Sequence, residues 1–189
     1  DLRRLPGLTD VADVIYNPGR TDLLLQAEEL GLRHAGGLSM LVHQAKRAEE
    51  LFFDKPIPDG ETEAITARLW REMTNLVLVG MPGSGKTTVG KLLAERSGKS
   101  FVDLDGEIAR RAGMSIPEMF ASQGEGPFRQ LEHEVLTEAC AKSGQIIATG
   151  GGAVLREENR AAMRRTGRVY RLRRRLEDLP TEGRPLSQA

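Results

Sequence analysis

The residues with the clearest chemistry lie in residues 80–88, where the sequence is GMPGSGKTT. Gly80, Gly85, Lys86 and Thr87 match the pattern G-x-x-x-x-G-K-[S/T] of a phosphate-binding loop. Glycines let the backbone curl so that successive N–H groups point at an anion, and the helix that follows adds its partial positive charge. A chance glycine-rich turn is the alternative, and the predicted strand before and helix after the loop weigh against it. In such a loop Lys86 would reach the outer phosphates, and the hydroxyl of Thr87 would ligate Mg²⁺.

Two carboxylates follow a second predicted strand, residues 100–105. Alternation along a strand places Asp103 and Asp105 on the same side at its carboxyl end, where ligands bind in doubly wound α/β folds. One carboxylate near Thr87 could hold Mg²⁺, and another could accept a proton from an attacking hydroxyl. The alternative is that Asp105 caps a helix beginning at Gly106. We favour chemistry, because two acids recur on one face.

A third group of candidates lies further along the chain. Arg129 opens a predicted helix, where its guanidinium could bind a carboxylate bidentately, and Glu132 is spaced to pair with it. An ordinary helical salt bridge is the alternative for this pair. The glycines at 150–152 end a predicted strand, residues 145–149, and permit close approach of a ligand or form a plain flexible turn. His133 lies beside acids, but no second ligand has suitable spacing, so we predict no metal there.

The elements that must position these residues alternate between strands and helices. This alternation predicts an α/β fold with a parallel sheet flanked by helices. The predicted strands are residues 76–79, 100–105, 145–149 and 169–172, and the predicted helices are residues 89–96, one beginning at 115, 128–142 and 157–165.

The first quarter of the chain has its own pattern. Residues 11–16 predict a buried strand, and residues 22–30 a helix that Thr21 caps and Gly31 ends. Apolar spacing predicts a long helix over residues 38–53, with an apolar face. Together these segments predict a partial Rossmann-like βαβα tail in front of the phosphate-binding part.

A composition shift marks the predicted domain boundary. The stretch DKPIPDGETE combines prolines, a glycine and acids, which is typical of a linker, and a short connecting helix is predicted over residues 64–73. The predicted domains are residues 1–54, a linker over residues 55–74, and residues 75–189.

Composition excludes several classes of protein. Twenty-seven Lys and Arg residues balance 27 Asp and Glu residues, which argues against a general nucleic-acid or membrane-surface role. The basic run at residues 171–175 has only Tyr170 as an aromatic neighbour, so we predict no nucleic-acid partner. The single cysteine, Cys140, is predicted to be buried and suits a reducing cytoplasm. No apolar run is long enough to span a bilayer, and no signal-peptide pattern is present.

From residue 75 onward the chain resembles the shikimate kinase family, through GMPGSGKTT, FVDLD, FRQLE, TGGGAV and GRPL in that order. The resemblance implies a P-loop kinase-type sheet, transfer of phosphate from ATP to a hydroxyl of shikimate, and Mg²⁺ as cofactor. It implies that Glu132 orients Arg129. The implied ATP-phosphate-binding residues are Gly83, Ser84, Gly85, Lys86, Thr87 and Thr88. The implied catalytic residues are Lys86, Asp105 and, in a mobile lid, Arg184. The implied metal ligands are Thr87 and Asp103, and the implied shikimate-binding residues are Asp105, Arg129, Gly151 and Gly152.

The sequence also departs from this family. The family continues past the lid to a second carboxylate-binding arginine and a final helix, and neither has a counterpart here. Its adenine-stacking arginine has no clear counterpart in residues 176–183. Both ends of the sequence look cut, so we expect a fragment of a longer protein that binds nucleotide and phosphorylates shikimate poorly.

The first quarter of the chain resembles the C-terminal end of the shikimate dehydrogenase family, through residues 13–18 and 37–44. The resemblance implies that Gln44 touches shikimate, that Tyr16 lies near the substrate, and that Gly37 lies near the nicotinamide. A polar residue on a solvated helix face is the alternative for Gln44. The family's catalytic Lys–Asp pair and its G-x-G-x-x-G dinucleotide loop are absent from this sequence.

The two resemblances together predict a fused enzyme, because the dehydrogenase makes shikimate and the kinase consumes it. Three functions are open: a shikimate kinase, an NADP-dependent shikimate dehydrogenase in the intact fusion, and a P-loop domain that binds nucleotide without turnover. We favour the kinase, because Asp105, Arg129 and the glycines at 150–152 have no role in nucleotide binding alone.

Overall fold

The computed structural model describes residues 1–175 and divides into two compact units. Unit 1 comprises Asp1–Thr74 and Arg164–Thr166, and unit 2 comprises Asn75–Met163 and the chain from Gly167 onward. Within the described residues, no helix has the length and apolar character needed to cross a membrane.

Unit 1 contains two parallel strands and three longer helices. The strands pair in register from Asp10↔Arg33 to Ala12↔Ala35. Thr21 caps the first helix as predicted, because its side chain accepts a hydrogen bond from the N–H of Leu24. The elements are β1 (Asp10–Ala12), α1 (Asp22–Glu29), β2 (Arg33–Ala35), α2 (Gly37–Phe53) and α3 (Asp59–Met73).

The buried strand predicted over residues 11–16 is wrong in extent and in burial. The strand ends at Ala12, and the side chains of Val14, Ile15 and Tyr16 are exposed. The backbone here joins the start of α2 instead of a sheet, since the Gly37 N–H donates to the Ile15 carbonyl at 3.0 Å.

Helices α2 and α3 correct two further expectations. The apolar face of α2 is only partly buried: Leu38 and Val42 are buried, whereas Leu51 and Phe52 are exposed. Helix α3 begins at Asp59, five residues before the connecting helix predicted over residues 64–73, so residues 59–63 of the predicted linker are helical as well. Acidic side chains in its first turn favour this start, because they lie at the positive end of the helix dipole.

Unit 2 is a four-stranded parallel sheet with strand order β4-β5-β3-β6. The central strands are apolar and buried, which is typical of a sheet covered on both faces. The predicted α/β fold with a parallel sheet flanked by helices is therefore confirmed. Its strands are β3 (Asn75–Val79), β4 (Ser100–Asp103), β5 (Gln145–Ala148) and β6 (Gly167–Arg171); its helices are α4 (Lys86–Ser97), α5 (Leu104–Ala112), α6 (Ile116–Gln123), α7 (Glu125–Ala141) and α8 (Glu157–Thr166). The last three residues of α8, Arg164–Thr166, belong to unit 1.

Two boundaries differ from prediction in ways that affect the site. Strand β4 ends at Asp103 and α5 starts directly at Leu104, so Asp105 lies in the first turn of a helix and not on a strand. Helix α7 starts at Glu125, three residues before the predicted start. Both helices are fixed by the core, in which Leu104, Ile108, Val135 and Leu136 are buried together with Cys140.

One buried polar side chain aligns the strands that carry the site. Asn75, at the start of β3, is fully buried. Its Oδ1 accepts from the Gln145 N–H at 2.8 Å, and its Nδ2 donates to the Lys142 carbonyl at 2.8 Å. The side chain thus holds the start of β5 beside β3, which sets where both strands end at the opposite edge of the sheet.

Candidate active site

The loop between β3 and α4 has a backbone that requires glycine. Gly80, Gly83 and Gly85 have φ angles of +151°, +76° and +91°, a region that side chains with a Cβ rarely adopt. A Cβ at Gly80 would also lie 2.5 Å from the carbonyl oxygen of Leu172, just after β6. The predicted loop is thus closely packed, and it opens directly into the N-terminus of α4, where an anion is stabilised.

Lys86 is buried at the start of α4 and is held by the loop itself. Its Nζ donates to the carbonyl of Gly80 at 2.8 Å and to the carbonyl of Met81 at 2.9 Å. Burial lowers the pKa of the lysine, and the nearby carboxylates of Asp105 and Asp103 oppose this shift. The structure therefore fixes a cation at the loop, next to the acids that sequence spacing singled out.

Thr87 and Asp103 form an oxygen pair beside the loop. The Thr87 hydroxyl donates to Oδ2 of Asp103 at 2.9 Å, which joins the first turn of α4 to the end of β4. An oxygen-only pair of this kind suits a hard cation such as Mg²⁺, which takes few protein ligands and keeps waters and phosphate oxygens. Across residues 1–175, no group of three or more His, Cys, Asp or Glu side chains could hold a metal ion.

Asp105 points from the first turn of α5 toward the glycine-rich turn after β5. A Cβ at Gly150 would lie 2.7 Å from its Oδ1. The residue as a whole is exposed, yet burial of its carboxyl group is the largest cause that raises its pKa. Asp103 raises this pKa further, whereas Lys86 and Arg129 oppose the shift. Asp105 is not a helix cap, because α5 begins one residue earlier and Asp103 occupies the capping position without a side-chain bond.

Arg129 and Glu132 form an ion pair that differs from an ordinary surface pair. Nη1 of Arg129 donates to Oε2 of Glu132 at 2.8 Å, and only 2% of the Glu132 side chain is exposed. Burial raises the pKa of the Glu132 carboxyl group, and Arg129 opposes this shift. Oε1 of Glu132 is buried and has no hydrogen-bond partner among the described residues. The pair therefore has the spacing of a helical salt bridge, as the alternative predicted, but its acid is buried and not at the surface.

A second acid also contacts the arginine. Nε of Arg129 donates to Oε1 of Glu125 at 3.1 Å, and the Glu125 side chain is more than half exposed. Glu125 is not among the residues predicted from the sequence, because the helix is predicted to begin after it. An acid spaced four residues before an arginine on one helix is the signal that could have identified the contact.

The glycines at 150–152 are packed against functional side chains and are not a free turn. A Cβ at Gly150 would lie 2.9 Å from Oε1 of Glu132, one at Gly151 would lie 2.7 Å from Cδ of Pro82, and one at Gly152 would lie 2.3 Å from Nη1 of Arg129. Before them, Thr149 is fixed to β3, because both its N–H and its hydroxyl donate to the Leu78 carbonyl. The turn therefore joins the phosphate-binding loop to the arginine.

A half-buried histidine and a buried asparagine, neither of which the sequence assigned to the site, hold the residues that follow this turn. Nδ1 of His133 lies 2.7 Å from Oδ1 of Asn159, and Nδ2 of Asn159 donates to the Ala153 carbonyl at 3.0 Å. Asn159 is fully buried on α8. Its position in a polar run, EENR, carries no signal in the sequence.

The remaining predicted residues lie elsewhere or outside the description. Arg184 lies outside the described residues. Tyr16 and Gln44 are exposed in unit 1, and Gly37 is buried there. Within unit 2, the structure brings Lys86, Asp103, Asp105, Arg129, Glu132 and the glycines at 150–152 to one end of the sheet, together with Thr87.

Comparison with known proteins identifies one family. A family model described as "Shikimate kinase" matches residues 82–188. The chain is 58% identical over 95 residues to a shikimate kinase of Symbiobacterium thermophilum, which covers 50% of this chain and 55% of that protein. It is 52% identical over 98 residues to a shikimate kinase of Nitrosomonas europaea, covering 52% and 46%. The chain thus spans about half the length of the curated relatives it matches.

Solved structures agree with this match. A shikimate kinase from Acinetobacter baumannii in complex with shikimate has a TM-score of 0.56 and 41% sequence identity, covering 58% of this chain and 62% of that one. A shikimate kinase from Aquifex aeolicus has a TM-score of 0.53 and 38% identity, covering 55% and 62%.

Proposed function

We propose that this protein transfers a phosphoryl group from ATP to a hydroxyl of shikimate, because the chain belongs to the shikimate kinase family. One structural observation supports the proposal most directly. The guanidinium of Arg129 occupies the space that a Cβ at Gly152 would need, while Pro82 of the phosphate-binding loop occupies the space that a Cβ at its neighbour Gly151 would need. A carboxylate-binding group and a phosphate-binding group are thereby held on two sides of one turn.

The nucleotide side of the proposed site is the loop and the start of α4. Residues 83–88 would bind the phosphates through backbone N–H groups, and the positive charge of Lys86 would stabilise the negative charge that develops on the transferred group. We also assign a catalytic role to Arg184, which lies outside the described residues, from the family pattern.

Thr87 and Asp103 are the residues that would hold Mg²⁺. When bound, Mg²⁺ would neutralise phosphate charge and orient the transferred group. The 2.9 Å contact between these two side chains shows that their oxygens already lie together.

The acid side of the proposed site binds and orients shikimate. Arg129 would bind its carboxylate, Glu132 would hold the guanidinium in place, and Gly151 and Gly152 would let the substrate approach closely. Asp105 would accept the proton of the reacting hydroxyl, and its raised pKa makes it a better base than an ordinary aspartate. The new bond joins the hydroxyl oxygen to the γ-phosphorus, the bond to the bridging oxygen breaks, and ADP leaves.

We further propose the origin of the other parts of the chain. Residues 1–54 would be the end of a shikimate dehydrogenase, residues 55–74 a connecting segment, and residues 75–189 the kinase, so that the two enzymes form one covalent fusion. The sequence motifs at residues 13–18 and 37–44 support this assignment. The cytoplasmic location suggested by the single cysteine stays a prediction.

The test is phosphoryl transfer with defined acceptors. The protein is mixed with MgATP and shikimate, shikimate methyl ester or unrelated hydroxy acids, and ADP and phosphorylated product are measured. We expect shikimate to be the best acceptor and the ester a poor one, because the ester lacks the charge that Arg129 binds. ATP binding without ADP release on adding shikimate would contradict the proposal and favour a nucleotide-binding domain without turnover.

A further inference from the structure

The guanidinium of Arg129 is already engaged by two acids of its own helix. Nη1 donates to Glu132 and Nε donates to Glu125. Among the described residues, Nη2 has no hydrogen-bond partner. A carboxylate binds a guanidinium most strongly through two N–H groups that point the same way. One such pair combines Nη1 with Nη2, and the other combines Nε with Nη2.

Each of these two edges of Arg129 is therefore blocked by one acid. The two acids differ in how easily they can leave. The Glu132 side chain is 2% exposed, and breaking its pair would leave a buried charge without a partner. The Glu125 side chain is 54% exposed, so water can solvate its carboxylate when it moves away.

We propose that Glu125 competes with the carboxylate of the substrate for Nε of Arg129. This inference rests on the proposed function, because it assumes that Arg129 binds the carboxylate of shikimate. Shikimate would take the edge formed by Nε and Nη2, while Glu132 keeps Nη1. Glu125 touches no substrate and acts through Arg129, which makes it a residue that sets the affinity for the acid.

The competition has a defined size and salt dependence. Exposed ion pairs are weak, so removing the charge of Glu125 should tighten the binding of shikimate by only about two- to fivefold. Because exposed charges are screened by salt, the difference between the two proteins should shrink as salt rises. ATP binds at the loop, away from Nε, and its affinity should stay unchanged.

The experiment compares the whole chain with Glu125→Gln. Gln keeps the size of the side chain and offers only a neutral oxygen, so it competes more weakly for Nε. Dissociation constants for shikimate and for ATP are measured by calorimetry at low and high salt, with thermal unfolding as a check of the fold. The matched control is Glu134→Gln, which removes the same charge from the same helix at a residue that contacts Gln130.

The outcomes separate this inference from the function on which it rests. Tighter shikimate binding by Glu125→Gln alone, with a salt-dependent ratio, supports the competition. Unchanged or weaker binding of shikimate by Glu125→Gln would overturn the competition and would mean that Glu125 positions Arg129 productively. Equal tightening in Glu134→Gln would also overturn it. If the unaltered chain binds ATP but not shikimate, the proposed function fails and the inference fails with it.

Discussion

The phosphate side and the acid side of the site are built in opposite ways. The phosphate side is one continuous stretch, from Gly80 to Thr88, and its lysine is held by carbonyls of the same loop. The acid side combines α5, α7 and the turn after β5, and its arginine is held by charged side chains. A contiguous site tolerates changes elsewhere in the fold, whereas an assembled site depends on how separate elements pack.

The two sides also differ in electrostatics. Lys86 has neutral partners, and burial lowers its pKa. The acid side holds two carboxyl groups, on Asp105 and Glu132, whose pKa values are raised by burial. The function of the acid side should therefore change with pH and with the loss of single charges. The function of the phosphate side should change mainly when residues of the loop are substituted.

The largest expected effect is on the phosphate side. Lys86→Met removes a charge needed where phosphate charge develops, so turnover should fall by at least about 10²–10³-fold. The protein should stay folded, because methionine fills a similar buried volume. Turnover and thermal unfolding are measured beside Lys91→Met, an exposed lysine of the same helix. Near-normal turnover in folded Lys86→Met would mean that the loop does not bind the reacting phosphate.

A selective effect is expected on the acid side. Arg129→Ala removes the partner of the substrate carboxylate and should weaken shikimate binding by about 30-fold, or about 2 kcal/mol, with ATP affinity unchanged. Binding of both ligands is measured by calorimetry, and Arg110→Ala, an exposed arginine on α5, is the control. Equal losses for both ligands would show that Arg129 is structural and that the two sides are not separate.

The pH profile should also isolate the acid side. Turnover should fall by about tenfold for each pH unit below the raised pKa of Asp105, because the protonated carboxyl group cannot accept a proton. ATP affinity should change only weakly over the same pH range. The dependence of kcat on pH is compared with that of Asp105→Asn, whose residual activity should lack this step.

Loss of the fold cannot produce the same profile. A carboxyl group whose pKa is raised by folding destabilises the folded state when it is ionised. The contribution of Asp105 to the free energy of unfolding therefore becomes more favourable as pH falls through its folded pKa toward 3.8, the ordinary pKa of an aspartate. Paired surface acids have the opposite sign. For example, Arg110 and Arg111 lower the pKa of Glu107 to about 2, so its stabilisation is complete above 4.5 and is lost only below that value. Turnover that falls together with the unfolding midpoint would contradict this assignment.

The smallest effect tests the joint between the two sides. Gly151→Ala would place a Cβ 2.7 Å from Pro82, so the turn and the loop must move apart. We expect both ATP and shikimate to bind about fivefold more weakly, corresponding to about 1 kcal/mol of overpacking. Gly126→Ala is the control, since a Cβ there meets no atom within 4 Å. A change in only one ligand would show that the turn does not couple the two sides.

These architectures explain what sequence could predict. The loop was predictable because its glycines are demanded locally by the backbone, as the positive φ angles of Gly83 and Gly85 show. The helices and strands of unit 2 were predictable from apolar spacing, because this spacing is also a local property of the sequence. The convergence of Asp105, Arg129 and the glycines at 150–152 depends on strand order, and only the resemblance to a family brought these residues together. Their catalytic roles stay predictions.

The errors have identifiable physical causes. Alternation placed Asp105 on a strand, but burial of Leu104 and Ile108 starts a helix one residue after Asp103. The helix predicted to begin at residue 128 begins at Glu125 and includes Gly126 and Pro127, because proline is tolerated in the first turn of a helix. Glu125 was therefore placed outside the helix and its contact with Arg129 was missed.

The sequence has a single tryptophan, and its place in the fold supplies an optical probe. Trp70 is half-buried on α3, with its ring so close to Gly19 that a Cβ there would lie 2.7 Å from Cζ3. Its emission therefore reports the packing of unit 1, whereas most of the regular structure seen by circular dichroism belongs to unit 2. A ligand that binds only the native form of a protein raises the melting temperature of that protein. ATP should therefore raise the melting temperature of unit 2, which is followed by ellipticity. If emission stays at its original midpoint while ellipticity shifts, the two units melt separately.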